Sequence, residues 1–398
     1  MNRCLKPSAL ALVSVAAIAA TTAARGEEPV AGLSLDVAAS IGRSIFFDSG
    51  LSKPVGQSCY NCHLPHSAFA GETAVAEGAV IGRFGTRNVP TLMYASLVPP
   101  AKPAGEAGGV SRGRTGGLFH DGRARDPFEQ VRKPFYSPDE MNLADEAALA
   151  TLLRSAGYGS RMRRWIGDEA WEDDQQLSHY AYVAIVEFLR DPMFRPFDAR
   201  IDDFLAGDKE ALSAPEQNGF EVFAGVGKCA KCHQLDATDW SGPLLSDHSY
   251  ANLGVPSRGE KDPGLGGHTG EPADLGKFRV PTLRNVALTA PYMHNGSIAT
   301  LREVIEFHNR RDLEPDRWGP TDYPQTVERV ELGDLALTDQ QVEDLTALMA
   351  TFSDRSLLGM GVGQVIPKTP KDVPTTKSLR HRFPGPTTRA NASPPAVE

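Results

Sequence analysis

The chain has 398 residues, of which 41% are hydrophobic and 23% are charged, a balance typical of a folded protein of two or three domains. Its formal net charge is −9. The sequence therefore lacks the basic excess with which nucleic-acid-binding proteins contact phosphates, and we expect no nucleic-acid partner. An acidic surface instead favours a basic protein partner.

The N-terminus has the pattern of an export signal. Arg3 and Lys6 precede an Ala-rich, almost charge-free segment from Pro7 to Ala24, and small residues continue to Gly26. We predict that residues 1–26 are a signal peptide and that the protein is periplasmic, with no membrane span after cleavage. The alternative is a retained transmembrane helix, but the segment is weakly apolar and short for a bilayer span.

Two Cys-x-x-Cys-His motifs use the four cysteines that follow the predicted signal peptide. Their residues are Cys59, Cys62 and His63, and Cys229, Cys232 and His233. Two cysteines at this spacing lie on one face of a helical turn, where they can form thioethers to both vinyl groups of a haem, with the adjacent His at the iron. A lone Cys-x-x-Cys more often indicates zinc or redox chemistry. Two copies ending in His, in an exported chain, predict two covalent haem c groups.

Similar helical patterns surround both motifs. Apolar residues recur at helical spacing from Asp36 to Phe47 before the first motif, and from Ala214 to Phe223 before the second. A further helix is predicted after each motif, over Leu177–Arg190 and over Thr338–Phe352, where Gln341 completes a capping box. A helix on each side of the haem motif is what a cytochrome c domain needs to cover both haem edges.

We therefore predict a mainly α-helical protein with two cytochrome c-like domains, each with one covalent haem c, joined by long loops. The N-terminal domain spans residues 27–195 and the C-terminal domain residues 196–355, followed by a Pro-rich tail over residues 356–398. The Gly- and Pro-rich stretches 97–118 and 241–276 are long for an ordinary domain. A haem in each domain would replace much of the missing core.

Several further segments make the sequence similar to the bacterial di-haem cytochrome c peroxidase/MauG family over residues 33–354. They are Arg87–Thr91, Phe119–Ala124, Asp139–Met141 and Phe278–Ser297. The resemblance implies that the N-terminal haem is the peroxidatic one, with His63 as its proximal ligand and its other face left for hydrogen peroxide. The C-terminal haem would be the electron-transfer centre, with His233 as its proximal ligand.

On the peroxide side, the resemblance assigns the acid/base role to Glu140, the orientation of peroxide to Gln130, and a place in a loop beside the pocket to Pro134. A carboxylate in this position would move a proton between the two peroxide oxygens. Taken alone, Glu140 would more often be an exposed acidic residue at a helix start after Pro138.

The sequence departs from the family at two histidine positions. Many relatives place a distal His over the peroxidatic iron, but no His occurs between His66 and His120, and His66 lies too close to the haem motif. We therefore predict a permanently open N-terminal haem. His120 itself stands where relatives commonly carry a Trp between the haems. It is compatible with an inter-haem position that acts by tunnelling or hydrogen bonding, with a pocket residue, and with a structural His.

The sixth ligand of the C-terminal haem is predicted to be His308, in a segment where relatives carry Met or Tyr. Bis-His ligation generally gives a lower reduction potential than His-Met ligation, because imidazole favours ferric iron more than a thioether does. The alternative is that Met293 is the ligand and that His308 lies on the surface of a helix.

The resemblance also implies a Ca²⁺ ion between the domains. Its ligands would be the side chain of Asn88 and the carbonyl oxygens of Thr289 and Pro291, with water molecules filling the shell, a donor set that suits a hard cation. Three arginines could pair with haem propionates or could be surface or fold-supporting groups: Arg123, Arg279 and Arg284.

These features favour a periplasmic peroxidase that reduces hydrogen peroxide with electrons from a small redox protein, either a cytochrome c or a cupredoxin. A second hypothesis is a MauG-like enzyme that oxidises aromatic residues of a partner protein. A third is a di-haem protein that transfers electrons without catalysis, which would require both irons to be six-coordinate. Turnover with a reduced redox protein separates the first hypothesis from the other two.

Overall fold

Helices account for most of the regular structure. The computed structural model describes residues 34–103, 113–236 and 242–358, so that the predicted signal peptide and most of the predicted tail lie outside the described residues. The α-helices are α1 (Leu35–Phe46), α2 (Cys59–Cys62), α3 (Pro127–Tyr136), α4 (Glu146–Ser155), α5 (Gly159–Glu172), α6 (Asp174–Leu189), α7 (Arg200–Leu205), α8 (Ala214–Ala224), α9 (Gly266–Thr269), α10 (Leu301–Arg310), α11 (Pro315–Trp318), α12 (Asp339–Ala350) and α13 (Arg355–Leu358). Two short strands, β1 (Tyr250–Ala251) and β2 (Phe278–Arg279), pair antiparallel. Within the described ranges, no helix is both long and apolar enough to cross a membrane.

The four helices predicted around the haem motifs are present as α1, α6, α8 and α12. Helix α12 begins after Thr338, whose side chain accepts from the Gln341 N–H, while the Gln341 side chain accepts from the Thr338 N–H. This is the predicted capping box. Helix α6 begins three residues earlier than predicted, because the Asp173 side chain caps it by accepting from the Gln176 N–H.

The flanking helices of each half pack against each other at a glycine. Helix α1 crosses α6 at Gly42, where a Cβ atom would lie 1.9 Å from the Ala184 carbonyl oxygen. Helix α8 crosses α12 at Gly219, where a Cβ atom would lie 2.2 Å from the Asp344 carbonyl oxygen. Only glycine permits backbones to approach so closely. In both halves, a glycine at the crossing point therefore allows the flanking helices to pack closely.

A buried carboxylate joins the two halves of the structure. Asp354 accepts hydrogen bonds from the Tyr94 hydroxyl at 2.8 and 2.9 Å, and from the Asn285 side-chain amide at 2.7 Å. The Asp354 N–H donates to the Asn285 side-chain oxygen at 2.8 Å. Burial raises the pKa of Asp354 to about 6. The described residues from Ser34 onward belong to one unit, and the division at residue 195 remains a prediction.

Candidate active site

Two cavities lie on either side of a shared wall. The N-terminal cavity, of about 480 Å³, is lined by Cys59, Cys62 and His63, and the C-terminal cavity, of about 290 Å³, by Cys229, Cys232 and His233. These volumes are close to those of cofactor sites in general. The residues that line both cavities, which we call the dividing wall, are Asn88, Val89, Pro90, Thr91, His120, Arg279, Pro281 and Thr282.

The histidine of each motif is held in the same way. The Nδ1 atom of His63 donates to the Phe69 carbonyl oxygen at 2.9 Å, and that of His233 donates to the Leu245 carbonyl oxygen at 2.9 Å. Burial lowers the pKa of His63 to about 4 and lowers that of His233 as well. Each ring is therefore neutral with its lone pair on Nε2, which is the form that binds a metal ion.

A repeated Val-Pro-Thr-Leu sequence supports both histidines. The Thr91 hydroxyl donates to the Ala68 carbonyl oxygen at 2.5 Å, and the Thr282 hydroxyl donates to the Leu244 carbonyl oxygen at 2.6 Å. Ala68 and Leu244 come directly before the residues whose carbonyl oxygens accept from the motif histidines. Each threonine therefore fixes the backbone next to such a carbonyl group. The identical residues at 89–92 and 280–283 are the sequence signal for this repeat, whose role in holding the histidines becomes evident only from these contacts.

Burial raises the pKa of three of the four motif cysteines. Burial raises the pKa of Cys59 to about 12, that of Cys62 to about 11 and that of Cys229 to about 12. None of the four motif cysteines forms a disulfide, and the described residues contain no cluster of three or more His, Cys, Asp or Glu side chains that could hold a metal ion. Two cysteines and one histidine at each motif are fewer ligands than the four of a structural zinc site, and they suit thioether attachment of a haem.

The N-terminal cavity carries the predicted peroxide-side residues. Glu140, Gln130 and Pro134 all line this cavity together with His63. Glu140 lies in a turn after α3 rather than at an exposed helix start, and its carbonyl oxygen accepts from the Ala79 N–H at 2.6 Å. Burial raises the pKa of Glu140, while the charge of Arg123 opposes that change. A carboxyl group in this environment holds a proton at higher pH than an exposed one.

Pro134 corrects one expectation. The resemblance put it in a loop, whereas it lies inside α3, in the last turn of the helix. A proline there has no N–H to donate to the Gln130 carbonyl oxygen in the preceding turn. The Pro134 carbonyl oxygen accepts from the Met141 N–H at 3.1 Å, which folds the segment of Glu140 back towards the helix.

His120 is part of the dividing wall and is held from both sides. Its Nε2 atom donates to the Asn88 carbonyl oxygen at 2.8 Å, and its own carbonyl oxygen accepts from the Arg279 N–H at 2.7 Å. Burial lowers the pKa of His120 to about 4, so the ring is neutral. With Nε2 protonated, this is the opposite tautomer to that of the motif histidines. The contacts favour the inter-cavity position among the three that the sequence left open.

His308 enters the C-terminal cavity from α10. Its Nδ1 atom donates to the Val304 carbonyl oxygen at 2.7 Å, so its Nε2 carries the lone pair, as in His63 and His233. Burial and the neighbouring His233 are among the causes that lower its pKa to about 4. Met293 lines the same cavity. Both candidate ligands therefore reach the cavity, and His308 has the tautomer that ligation requires.

Two of the three candidate propionate partners already have carboxylate partners within the chain. Arg284 is fully buried and forms paired hydrogen bonds with Asp202 at 2.6 and 2.8 Å. Arg123 contacts Asp121 at 3.0 Å and lies over the Phe119 ring. Arg284 is thus a fold-supporting group. Arg123 keeps one face towards the N-terminal cavity.

The three predicted calcium ligands line the C-terminal cavity together: Asn88, Thr289 and Pro291. The Asn88 side-chain nitrogen donates to the Thr73 carbonyl oxygen at 3.0 Å. This contact orients the amide and leaves its oxygen for another partner, which is the atom that a hard cation would use.

Comparison with known proteins agrees with this architecture. The family model for di-haem cytochrome c peroxidase matches residues 37–210. The chain is 32% identical over 378 residues to methylamine utilization protein MauG of Paracoccus denitrificans, covering 87% of this chain and 96% of that protein. It is also 32% identical over 278 residues to cytochrome c551 peroxidase of Nitrosomonas europaea, covering 69% and 73%.

A solved structure has the same fold. The diheme peroxidase BthA from Burkholderia thailandensis E264 superposes with a TM-score of 0.72 at 31% identity, covering 84% of this chain and 88% of that one. Sequence, cavities and comparisons agree, and the chain belongs to the di-haem cytochrome c peroxidase and MauG family of oxidoreductases.

Proposed function

We propose that this protein is a periplasmic di-haem peroxidase that reduces hydrogen peroxide to water with electrons from a small redox protein. The observation that carries this proposal is the difference between its two cavities. Each contains a Cys-x-x-Cys-His motif with the same histidine arrangement, but the N-terminal cavity holds Glu140 where the C-terminal one holds His308. The N-terminal cavity thus has a carboxyl group that can transfer protons, and the C-terminal cavity has a second imidazole that could complete the coordination of an iron.

Both cavities fit covalently bound haem c. Cys59 and Cys62 would form the thioethers of the N-terminal haem, and Cys229 and Cys232 those of the C-terminal haem. When bound, the N-terminal haem supplies the iron that binds peroxide, and the C-terminal haem receives the donor's electrons. His63 would hold the first iron, and His233 and His308 would hold the second. We infer two cytochrome c-like domains from this arrangement.

Glu140 provides the proton transfer that peroxide reduction requires. Reduction of one peroxide to two water molecules consumes two protons and two electrons. The ionised carboxylate accepts a proton from one peroxide oxygen and returns it to the other, which then leaves as water. The partly buried setting of Glu140 keeps its pKa above the ordinary value, so that the same group can both accept and donate. Gln130, from the same cavity, would orient the peroxide through its amide.

The dividing wall provides the route between the cavities. His120 is fixed by hydrogen bonds to Asn88 and Arg279, and the latter two also line both cavities. Neutral imidazole is harder to oxidise than indole. We therefore propose that electrons tunnel through this fixed segment and that His120 is not itself oxidised.

A MauG-like oxidation of a partner protein is the second candidate function. The relative from Paracoccus denitrificans carries the name MauG. Besides the motif His63, the histidines among the described lining residues of the N-terminal cavity have partners within the protein: the His120 Nε2 atom donates to the Asn88 carbonyl oxygen, and the His248 Nδ1 atom contacts Ser246 and Arg279. The absence of a tryptophan at position 120 disfavours this candidate. The third hypothesis, a protein that transfers electrons without catalysis, does not explain why the half-buried Glu140 lines the N-terminal cavity.

We also propose the interdomain Ca²⁺ ion. Asn88 would contribute its side-chain oxygen, and Thr289 and Pro291 their carbonyl oxygens, with water completing the shell. The ion would stabilise the dividing wall from the side of the C-terminal cavity, because Asn88 also accepts from His120. Removal of calcium with a chelator should slow electron transfer between the haems, and readdition should restore the rate.

The test of the peroxidase proposal begins with EPR and absorption spectra of the purified oxidised protein. We expect one high-spin and one low-spin haem, with peroxide altering only the high-spin one. Steady-state peroxide reduction with reduced cytochrome c or cupredoxin follows. Rapid turnover supports the peroxidase. Poor turnover with an intact response to peroxide would favour the MauG-like function. Two low-spin haems without a response would favour a peroxidase that is activated by reduction, or electron transfer alone.

A further inference from the structure

We propose that Arg279 binds haem propionate carboxylates at the dividing wall and thereby raises the reduction potential of the haem that it contacts. This inference rests on the proposed positions of the two haems. It assigns a ligand to a side chain that the proposed peroxide chemistry does not use, and it makes the dividing wall an electrostatic element as well as a route for electrons.

The guanidinium group of Arg279 is not matched by a carboxylate of the described residues. Among the described residues it takes part in no ion pair, and its buried Nε atom has no hydrogen-bond partner. The NH1 atom contacts the His248 Nδ1 atom and the Val280 carbonyl oxygen, both at 3.4 Å, which is long for a hydrogen bond. Burial lowers the pKa of Arg279. A buried cation without an anion is costly, so an external anion is expected here.

Neighbouring charges do not supply that anion. Arg87 pairs with both Asp121 and Asp262, and Asp121 also pairs with Arg123, so these two carboxylates are already matched by two arginines. Arg279 is then the unmatched positive charge of the cluster. The nearby imidazoles carry no charge that could change this balance, because burial lowers the pKa of His120 to about 4 and that of His248 to about 3.

The backbone holds Arg279 between the cavities. It lies in β2, opposite Tyr250 of β1, and its N–H donates to the His120 carbonyl oxygen at 2.7 Å. It lines both cavities. A haem carries two propionate carboxylates, which pair well with a planar guanidinium fork. The proposed haems would place propionate carboxylates in both cavities, so no further anion is required to pair with Arg279.

The positive charge of Arg279 has no equivalent at the matching position of the first half of the internal repeat. The residue before Val-Pro-Thr-Leu is Arg279 in the second half and the neutral Asn88 in the first. A positive charge next to a haem stabilises its reduced form, since reduction removes positive charge from the iron. The C-terminal haem, with its two imidazoles, is expected to have a low potential, and Arg279 would oppose part of that lowering.

The experiment compares midpoint potentials of both haems, by spectroelectrochemical titration of full-length holoprotein, in wild type, Arg279→Gln and Arg279→Lys. Arg125→Gln is the matched control, because it removes the same charge from a side chain that is 74% exposed and paired with Asp126. We expect a lower potential for at least one haem in Arg279→Gln, partial recovery in Arg279→Lys and no change in Arg125→Gln. The haem whose potential shifts is the one whose propionate Arg279 binds.

A second signature separates propionate binding from a general structural effect. In Arg279→Gln the propionate loses its cationic partner, so its pKa returns towards the ordinary value of a carboxyl group. The reduction potential of that haem should then fall as the pH rises through this pKa, more steeply than in wild type. Unchanged potentials and unchanged pH dependence, in a variant that retains both haems, overturn the inference. Arg279→Met replaces Arg279→Gln if the buried amide prevents haem retention.

The outcome for Arg279 is distinguishable from that of the proposed function. A wild-type protein that lacks two covalent haems by haemochrome analysis contradicts the proposed function itself. A wild-type protein with both haems and active peroxide reduction, but with potentials that do not respond to Arg279, contradicts only the propionate assignment.

Discussion

The two haem-motif halves share the hydrogen bonds that hold the motif histidine and differ in the other side chains that line the cavity. In both, a motif histidine donates through Nδ1 to a backbone carbonyl, and a threonine of a Val-Pro-Thr-Leu segment fixes the neighbouring carbonyl. The N-terminal cavity also contains Glu140, and the C-terminal cavity also contains His308. The motif frame is thus duplicated, and we propose that one residue from a different segment of each half sets the chemistry of its cavity.

The largest expected change follows removal of the imidazole that distinguishes the C-terminal cavity. His308→Ala should convert the low-spin haem entirely to a high-spin one, since the second strong-field ligand is lost. EPR of the oxidised protein measures this, with Met293→Leu as the matched control. Loss of the low-spin signal in Met293→Leu, but not in His308→Ala, would instead assign the ligand to Met293.

Removal of the distinguishing carboxylate should abolish most of the turnover. We expect Glu140→Gln to lower peroxide turnover by about 10²–10⁴-fold, the usual contribution of a general acid/base, without altering the resting spectra. Stopped-flow mixing of the oxidised enzyme with peroxide measures the step directly. Glu169→Gln, an exposed position on α5, is the control. Equal rates in the two variants would remove Glu140 from the mechanism.

The matched helix crossings offer a test of the shared architecture. Gly42→Ala and Gly219→Ala each place a Cβ atom against a carbonyl oxygen, at 1.9 and 2.2 Å before relaxation. Overpacking of this kind costs about 1–3 kcal/mol, so both should lower the melting temperature, Gly42→Ala more. Gly259→Ala is the control, because nothing lies within 4 Å of its added Cβ. A melting temperature equal to that of the control would show that the crossing helices can separate freely.

A smaller effect should appear in the pH profile of the N-terminal cavity. If ionised Glu140 accepts the peroxide proton, activity falls as pH drops through its pKa, which burial raises above the ordinary value. The charge of Arg123 lowers that pKa, so Arg123→Gln should move the acid limb of kcat/KM to higher pH by a fraction of a pH unit. Arg125→Gln should leave the limb in place. A limb that moves to lower pH contradicts the assignment.

Local signals in the sequence sufficed for the haem motifs and their flanking helices. The Cys-x-x-Cys-His spacing, the helical periodicity and the Thr338 capping box depend on residues a few positions apart. The Val-Pro-Thr-Leu repeat was equally visible in the sequence. Its structural role depends on hydrogen bonds from Thr91 to Ala68 and from Thr282 to Leu244, which lie 23 and 38 positions away along the chain.

Other features required long-range contacts. Arg284 was a candidate for the haem propionates, but it is paired with Asp202, 82 positions away in sequence. Pro134 was expected in a loop, yet it lies inside α3. The position of His120 depends on two partners, Asn88 and Arg279, that lie far apart in the sequence. Residue types alone could not select among the three roles considered for it.

By itself, the sequence determined the two Cys-x-x-Cys-His motifs and predicted haem attachment from them, because the spacing places the cysteines and the histidine within one helical turn. It also determined the flanking helices, through local periodicity and capping. Only the tertiary structure decided which histidine tautomers face the cavities, that Arg279 has no ion-pair partner among the described residues, and which side chains share a cavity with each motif. Those properties arise from burial and from hydrogen bonds between distant segments, which no local pattern encodes.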